Sequence, residues 1–231
     1  MIRLYARVLL ASCLLVAATS AGPRPVPTKA APKITPDDKI EAAIEKAGGT
    51  LERQNGGKTA KVTFEKLTDA AAVCLKGATF VTVVEIQNGS RCTDRTMAAI
   101  ATLTDLESLS IYKSGITDTG MASFKKLEKL KTLYLGESKI TDAGVASLAD
   151  CVNLEDLDLT ETRITDKSID TIKTLTGLKT LALTATRVTD RGMLELKEML
   201  NLEDLNVIRT TVSVQAIREM EKAKPKLKIR R

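Results

Sequence analysis

From Leu106 onward, leucines recur along the chain at intervals of 24 residues without exception. They are Leu106, Leu130, Leu154, Leu178 and Leu202. A fixed period of this length is typical of a solenoid, in which each unit packs only on its neighbours. The sequence therefore predicts a stack of similar units, each of which needs the next to bury its apolar side chains.

Two hydrophobic patterns divide each unit, numbered here from its first leucine as position 1. Positions 1, 4 and 6 are apolar, as in Leu130, Leu133 and Leu135, and the spacing of the last two predicts a strand with one buried face. Positions 11, 16, 19 and 22 are apolar as well. The three-residue steps between positions 16, 19 and 22 predict the buried stripe of a helix. Each unit is therefore predicted to be a strand, a turn and a helix.

Polar residues recur at the predicted ends of these elements. Thr-Asp occupies positions 12 and 13 at residues 93–94, 117–118, 141–142, 165–166 and 189–190. We expect the hydroxyl to cap the helix and the carboxylate to face the positive end of the helix dipole. Position 24 carries Asn153, Gly177 and Asn201, which tolerate the left-handed conformation that ends many helices.

Position 2 alternates in charge from one unit to the next. It reads Glu107, Lys131, Glu155, Lys179 and Glu203. Adjacent strands would place opposite charges side by side, so we expect an ion-pair ladder that supports the fold.

The first 36 residues have the character of an export segment and a linker. Residues 1–21 combine Arg3 and Arg7 with an apolar run and small residues, which predicts a secretory signal peptide. The same stretch also resembles a bacterial lipobox, which would leave Cys13 as a lipidated N-terminus, and both alternatives stay open. Residues 22–36 carry five of the six prolines and are predicted to be an extended linker.

The remaining boundaries follow from the repeat. Residues 37–80 are predicted to hold a capping helix, which begins at Thr35-Pro36-Asp37-Asp38, and a shortened first repeat. Units starting near 81, 106, 130, 154, 178 and 202 fill residues 81–225, and the first of them has one extra loop residue. Residues 226–231 are expected to form an edge strand through Leu227 and Ile229, with a basic tail.

The motif L-x-x-L-x-L-x-x-[ST]-x-[IV]-T-D-x-G resembles the leucine-rich repeat family. It is similar to the short units of exported bacterial members and to the Cys-containing repeats of F-box proteins. Since no F-box is apparent ahead of the repeats, we do not expect a ubiquitin-ligase adaptor. The resemblance covers about residues 60–231 and implies an α/β fold, a right-handed horseshoe solenoid with a concave parallel sheet and convex helices. The family usually has Asn or Cys at position 9. Here Ser114, Ser138, Thr162, Thr186 and Thr210 are expected to satisfy the turn backbone instead.

Composition excludes several classes of function. The chain has no histidine, which removes His-based catalytic triads and most zinc sites. The net charge of +6 is misleading, because eight bases lie in the first seven and last ten residues and leave 27 bases against 29 acids. We therefore expect no nucleic-acid partner, no metal, no cofactor and no enzyme activity, since no nucleophile–base pair or phosphate loop is apparent.

Because leucine-rich repeat proteins usually bind other proteins through the concave sheet, the resemblance places the candidate site there. The candidate residues are Tyr112, Tyr134, Asp156 and Asp158. Tyrosine is a favoured binding hot spot, and the two aspartates would suit a basic partner. The alternative is that the tyrosines only pack against each other on the sheet.

The expected function is a non-enzymatic binding module or scaffold in the periplasm or outside the cell, with no membrane span and as a monomer. The alternative is a structural envelope component held by its basic tail or by a lipid.

After the predicted signal three cysteines remain. Cys92 and Cys151 occupy core positions and are expected to be buried free thiols, whereas a bond between Cys74 and Cys92 stays open.

Overall fold

Each unit of the repeat adds one strand to a single sheet. The structure, a computed structural model, describes residues 35–231, so the predicted signal peptide, Cys13 and most of the linker lie outside the described residues. In the described part the strands are β1 (Gly49–Gln54), β2 (Thr59–Thr68), β3 (Val81–Arg91), β4 (Ser108–Ile111), β5 (Thr132–Tyr134), β6 (Asp156–Asp158), β7 (Thr180–Ala182), β8 (Asp204–Asn206) and β9 (Lys228–Arg230). They follow chain order in the sheet, and every neighbouring pair after β1 is parallel.

The helices pack on one face of the sheet; the first precedes β1, and each strand from β3 to β8 is followed by one helix. They are α1 (Pro36–Lys46), α2 (Asp94–Ile100), α3 (Asp118–Met121), α4 (Asp142–Val145), α5 (Lys167–Ile172), α6 (Asp190–Glu195) and α7 (Val214–Ala223). Those of the central units are short, and 3₁₀ turns such as Ala146–Leu148 extend them. The predicted stripe is nevertheless buried, because Val145, Leu148 and Cys151 are at most 1% exposed.

The N-terminal end is covered by a helix and by a hairpin that the sequence did not predict. Thr35 caps α1 and forms a reciprocal capping box with Asp38, as the sequence indicated for the helix start. The chain then enters β1, which runs antiparallel to β2. Arg53 of β1 binds Glu41 of α1, and its guanidinium lies 4.3 Å from the centre of the Phe80 ring. Helix and strand therefore close the apolar end of the stack together.

The Thr-Asp pairs join neighbouring units. The threonine hydroxyls cap their own helices as predicted; Thr141, for example, accepts a hydrogen bond from the amide of Ala143. The carboxylates lie in the first turn of their helices, as predicted, and also have a second role that the sequence did not indicate. Asp118 accepts the amide of Thr141 at 2.8 Å and its hydroxyl at 2.6 Å, and the same arrangement repeats from Asp69 to Asp190. Each aspartate thus fixes the start of the next helix across the stack.

Glycine at position 15 makes room for this carboxylate. A Cβ at Gly120 would lie 2.6 Å from Oδ1 of Asp94, closer than such atoms approach. Two units carry a hydroxyl residue instead, and it donates to the same oxygen: Thr96 to Asp69 at 2.6 Å and Ser168 to Asp142 at 2.5 Å. In these units the position therefore holds either no side chain or a hydroxyl that adds a hydrogen bond, whereas the last unit has Ala216.

The prediction for position 24 is wrong. Asn153, Gly177 and Asn201 are not left-handed; Asn153 and Asn201 instead donate to carbonyls of the preceding unit at 2.8 Å. Positive φ values occur at position 8, where they lie between 53° and 57°. The residues are Lys113, Glu137, Glu161, Ala185 and Arg209. The tight turn therefore lies directly after the strand.

Two other predicted ladders form in part. Thr162, Thr186 and Thr210 each donate to the carbonyl three residues earlier, as expected, but the buried hydroxyls of Ser114 and Ser138 have no partner in the described structure. At position 2, each lysine binds only the glutamate of the preceding unit: Lys131–Glu107 at 2.8 Å and Lys179–Glu155 at 2.5 Å. The ladder is therefore a set of separate pairs.

The cysteines and the last strand agree with the sequence. Cys92 and Cys151 are buried free thiols, and Cys74 is a half-buried free thiol, so the possible Cys74–Cys92 bond is not formed. Burial raises the pKa of all three thiols. Strand β9 pairs in parallel with β8 and forms the predicted C-terminal edge.

Candidate functional site

The face of the sheet away from the helices, here called the concave face, presents two rows of side chains in register. One row runs through Ser110, Tyr134, Asp158 and Ala182, and the other through Ser108, Thr132, Asp156 and Thr180. The sheet register therefore places Tyr134 directly beside Asp158, with Asp156 on the same strand as Asp158. The four predicted site residues lie on three consecutive strands or directly after them.

Tyr112 extends across the unit that follows its own. Its hydroxyl donates to Oδ2 of Asp158 at 2.7 Å, although the two residues are 46 positions apart in the chain. On the way the ring lies on Gly136, where a Cβ would come within 2.7 Å of Cε1 of the tyrosine. Burial, and then the hydrogen bond and charge of Asp158, raise the pKa of Tyr112 well above its ordinary value.

Asp158 is occupied on both carboxylate oxygens. Oδ1 accepts the backbone amide of Thr160 at 2.8 Å, which holds the turn after β6, and Oδ2 accepts Tyr112. Tyr112, Gly136 and Asp158 thus form one contact across three units. Gly136 is buried under the tyrosine ring.

Tyr134 and Asp156 remain available for a partner. Within residues 35–231, neither side chain makes a hydrogen bond or an ion pair. Both are half-buried. Burial, and then the charges of Asp156 and Asp158, raise the pKa of Tyr134, which keeps its hydroxyl protonated and able to donate.

Charges near the two ends of the concave face are paired, unlike Asp156. Arg230 on β9 binds Asp204 on β8 at 2.7 Å, and Lys61 on β2 binds Glu85 on β3 at 2.8 Å. The acid without a partner therefore lies near the middle of the sheet, next to the exposed part of Tyr134.

Removal of the Tyr112 hydroxyl tests its structural role. We expect Tyr112→Phe to lower the free energy of unfolding by about 1–2 kcal/mol, because Asp158 loses a donor while water can still reach it. Tyr134→Phe is the matched control, with an expected change below about 0.5 kcal/mol. Denaturant unfolding of both variants is the measurement, and equal losses would contradict the assignment.

Among residues 35–231, no group of three or more His, Cys, Asp or Glu residues could hold a metal ion. None of the helices in that range is both long and apolar enough to cross a membrane.

Two surface cavities lie elsewhere. One of about 930 Å³ is bounded by the segment after α7 and by residues near the start of β8, including Leu200, Glu203 and Lys224. The other, of about 380 Å³, lies at the ends of β2 and β3 and is lined by Lys66, Asn88, Ser90 and Arg91 among others. Neither is lined by Tyr112, Tyr134, Asp156 or Asp158.

The sequence profile of the family described as leucine rich repeat matches residues 104–164, which contain Tyr112, Tyr134 and both aspartates. This segment of the chain consists of leucine-rich repeats. The predicted solenoid, with its sheet on the concave side and its helices on the convex side, is thereby confirmed, except that β1 adds an antiparallel strand. Proteins built from leucine-rich repeats commonly serve as protein-interaction modules.

Two solved structures with the same fold are internalins from Listeria monocytogenes. The internalin inlF is 20% identical to this chain with a TM-score of 0.59, and the match covers 73% of this chain and 45% of that protein. Internalin C2 (inlC2) is 18% identical with a TM-score of 0.53, and the match covers 80% of this chain and 88% of that one. The chain therefore spans less than half of the first internalin. At these identities the similarity shows the shared fold, and no curated protein matches the chain in sequence.

Proposed function

We propose that this leucine-rich repeat protein is a non-enzymatic protein-binding module that acts outside the cytoplasm through its concave face. The observation that carries the proposal is the pair Tyr134 and Asp156, a half-buried phenol and a half-buried carboxylate that have no hydrogen-bond or ion-pair partner among the described residues. The pair offers a donor and an acceptor in a half-buried setting, where polar contacts are strong. The predicted signal sequence of residues 1–21 supports the location.

The partner chemistry follows from the charges around this pair. Asp156 and Asp158 lie on one strand, and Asp158 is held by Tyr112 and by the backbone of Thr160. A lysine or arginine of the partner would meet Asp156, while its apolar stem would cover the ring of Tyr134. We therefore propose a basic partner segment. Tyr112 and Asp158 would hold the platform on which it lies.

The test is to capture the partner with the exported protein and then to measure its affinity for defined variants. We expect Tyr134→Ala to weaken binding about tenfold or more, which corresponds to at least about 1.4 kcal/mol. Asp156→Asn should weaken it as well and should reduce the salt dependence of the association rate. Thr184→Ala lies on the same face outside the pair and serves as the control.

One outcome would refute the concave site. If the double variant Tyr112→Ala/Tyr134→Ala kept its fold, judged by circular dichroism, and bound the partner with unchanged affinity, another surface would have to carry the interaction. If the double variant lost both its fold and its binding, Asp156→Asn would separate the two effects, because this substitution removes no packing.

The alternative is a structural envelope component held by the basic tail or by a lipid on Cys13. Two cations of the tail are already used by the fold, since Arg230 binds Asp204 and Lys224 donates to the carbonyl of Met199. Deletion of residues 222–231 would also remove β9. Neutralising Lys222, Lys226 and Arg231 together is therefore the cleaner test, and salt-sensitive release of the protein from envelopes that is lost in this variant would favour the alternative.

A further inference from the structure

Position 10, directly before the buried residue at position 11, is basic in most units. Seven copies of this position can be aligned from the first degenerate repeat to the last unit. Five of them carry an exposed cation, and the other two carry Gly115 and Thr211. The five, here called the basic column, are Lys66, Arg91, Lys139, Arg163 and Arg187.

Backbone hydrogen bonds between successive units keep the residues of the column aligned. The amide of Lys139 donates to the carbonyl of Ile116 at 2.9 Å, that of Arg163 to Ile140 at 3.0 Å, and that of Arg187 to Ile164 at 3.1 Å. Lys66 and Arg91 lie at the paired ends of β2 and β3. Successive members of the column from neighbouring units are therefore separated by roughly the spacing of adjacent strands, about 4.8 Å. Their side chains line the edge where the strands end.

The column is not neutralised by the protein. Within residues 35–231, none of its five side chains makes an ion pair or a side-chain hydrogen bond. Single exposed lysines are common on protein surfaces, but like charges in neighbouring units repel one another. The same chain avoids this at position 2, where the sign alternates and Lys131 binds Glu107. The repeated sign at position 10 therefore opposes stability.

Acids near the column have partners of their own. The carboxylates at position 13 are occupied by the following unit, as in Asp142, which accepts both the amide and the hydroxyl of Thr165. At position 8, Glu137 lies 3.9 Å from Lys113, and Glu161 binds Arg209 at 3.3 Å. The exposed Arg95 and Lys167, each at position 14, add further positive charge beside the column.

A recess accompanies two members of the column. The cavity of about 380 Å³ at the ends of β2 and β3 lies between Lys66 and Arg91, and Thr68, Asn88 and Ser90 contribute polar groups to its lining. This combination of cations and neutral hydrogen-bonding groups fits a carboxylate better than an apolar ligand.

We propose that the basic column binds an extended acidic segment of a partner protein. A partner of this kind turns a side chain toward the column about every 6.6 Å, because successive side chains of an extended segment alternate between its two faces. Flexible glutamate side chains at this spacing can pair with the cations of the column. The column is one side chain wide, and the exposed Glu137 and Glu161 lie only two residues before Lys139 and Arg163. A broad anionic surface such as a bilayer would also meet these glutamates, whereas a single strand can follow the column alone. This surface is separate from the concave face.

The experiment uses the full chain and a fluorescent glutamate-rich peptide, with binding followed by anisotropy. We expect the triple variant Lys139→Gln/Arg163→Gln/Arg187→Gln to lose about tenfold or more in affinity, and the affinity of the parent protein to fall as salt is added. The control, Lys125→Gln/Lys126→Gln/Arg218→Gln, removes the same charge from exposed cations elsewhere, and less than about twofold loss is expected.

Thermal unfolding gives a second result that a structural role would not produce. Since the column is repulsive, the column variant should melt at the same temperature as the parent protein or higher. The proposal is overturned if both triple variants lose affinity equally, if the parent protein does not bind the peptide, or if it binds anionic vesicles or a sulfated polysaccharide in preference to the peptide. A clear drop in melting temperature for the column variant alone would also overturn it.

Discussion

Replacing Leu133 by alanine is expected to lower the free energy of unfolding by about 2–5 kcal/mol. Leu133 is 0% exposed at the centre of β5, and its sheet neighbours in register are Leu109 and Leu157. The substitution leaves a cavity between three units that pack on one another. Since each unit buries its apolar face only against its neighbours, the rigid strands on both sides cannot close the cavity.

Leu200 is the matched control for this prediction. It is also a leucine of the repeat, but it is 91% exposed, so Leu200→Ala should change the free energy of unfolding by less than about 0.5 kcal/mol. Urea unfolding followed by circular dichroism measures both variants. Similar losses for the two would mean that the buried strand positions do not form the core described above.

The second large effect is expected at the ladder of aspartates. We expect Asp142→Ala to lower the free energy of unfolding by about 2–4 kcal/mol, because three donors of the next unit lose a charged acceptor. These donors are the amide and hydroxyl of Thr165, each at 2.7 Å, and the hydroxyl of Ser168 at 2.5 Å. Asp150→Ala is the control, since Asp150 is exposed and makes no hydrogen bond within the described residues.

The ladder also predicts a pH dependence of stability. Burial opposes ionisation of Asp142 and Asp69, but hydrogen bonds from the next unit outweigh it and hold their pKa values below the ordinary range. Backbone and side-chain hydrogen bonds from Ser213 lower the pKa of Asp190 in the same way. The unfolded chain therefore binds more protons than the folded protein as the pH falls, so this stabilisation is complete above the unfolded pKa and is lost below about pH 4.

Unfolding at pH 7, 5 and 3 measures this dependence. We expect little change from these groups between pH 7 and 5 and a clear loss at pH 3. Asp142→Asn keeps an acceptor but cannot ionise, so it should be less stable at pH 7 and should lose less stability on acidification. A variant with the same pH profile as the parent protein would show that Asp142 does not contribute to it.

Much of the fold was predictable because its signals are local and repeated. The apolar positions of the strand and of the helix stripe, the threonine caps and the last edge strand follow from spacing and from residue chemistry alone. Strand β1 was not predicted, since it lacks the repeat pattern and is held by contacts to α1 and β2. Position 24 was misjudged because asparagine suits both a left-handed turn and a side-chain hydrogen bond, and residue type alone does not decide between them.

The candidate site was predictable only as a set of outward positions. Register placed Tyr112, Tyr134, Asp156 and Asp158 on one face, and the structure brings them together there. It also divides them, because Tyr112 is joined to Asp158 over Gly136, which leaves Tyr134 and Asp156 available. A glycine two residues after Tyr134 was the one signal in the sequence that could have indicated a covering ring.

The sequence by itself determined the period, the core and the elements of each unit, because a side chain repeated every 24 residues must have the same surroundings in every copy. The tertiary structure alone decided which neighbouring unit each polar side chain forms a hydrogen bond with. Asp142 could have stayed with its own helix, and Tyr112 with its own strand. Both instead reach into following units. Stacking brings residues 23 apart in the chain to about one strand spacing and residues 46 apart to about two, and the tyrosine side chain is long enough to cross the second distance over Gly136.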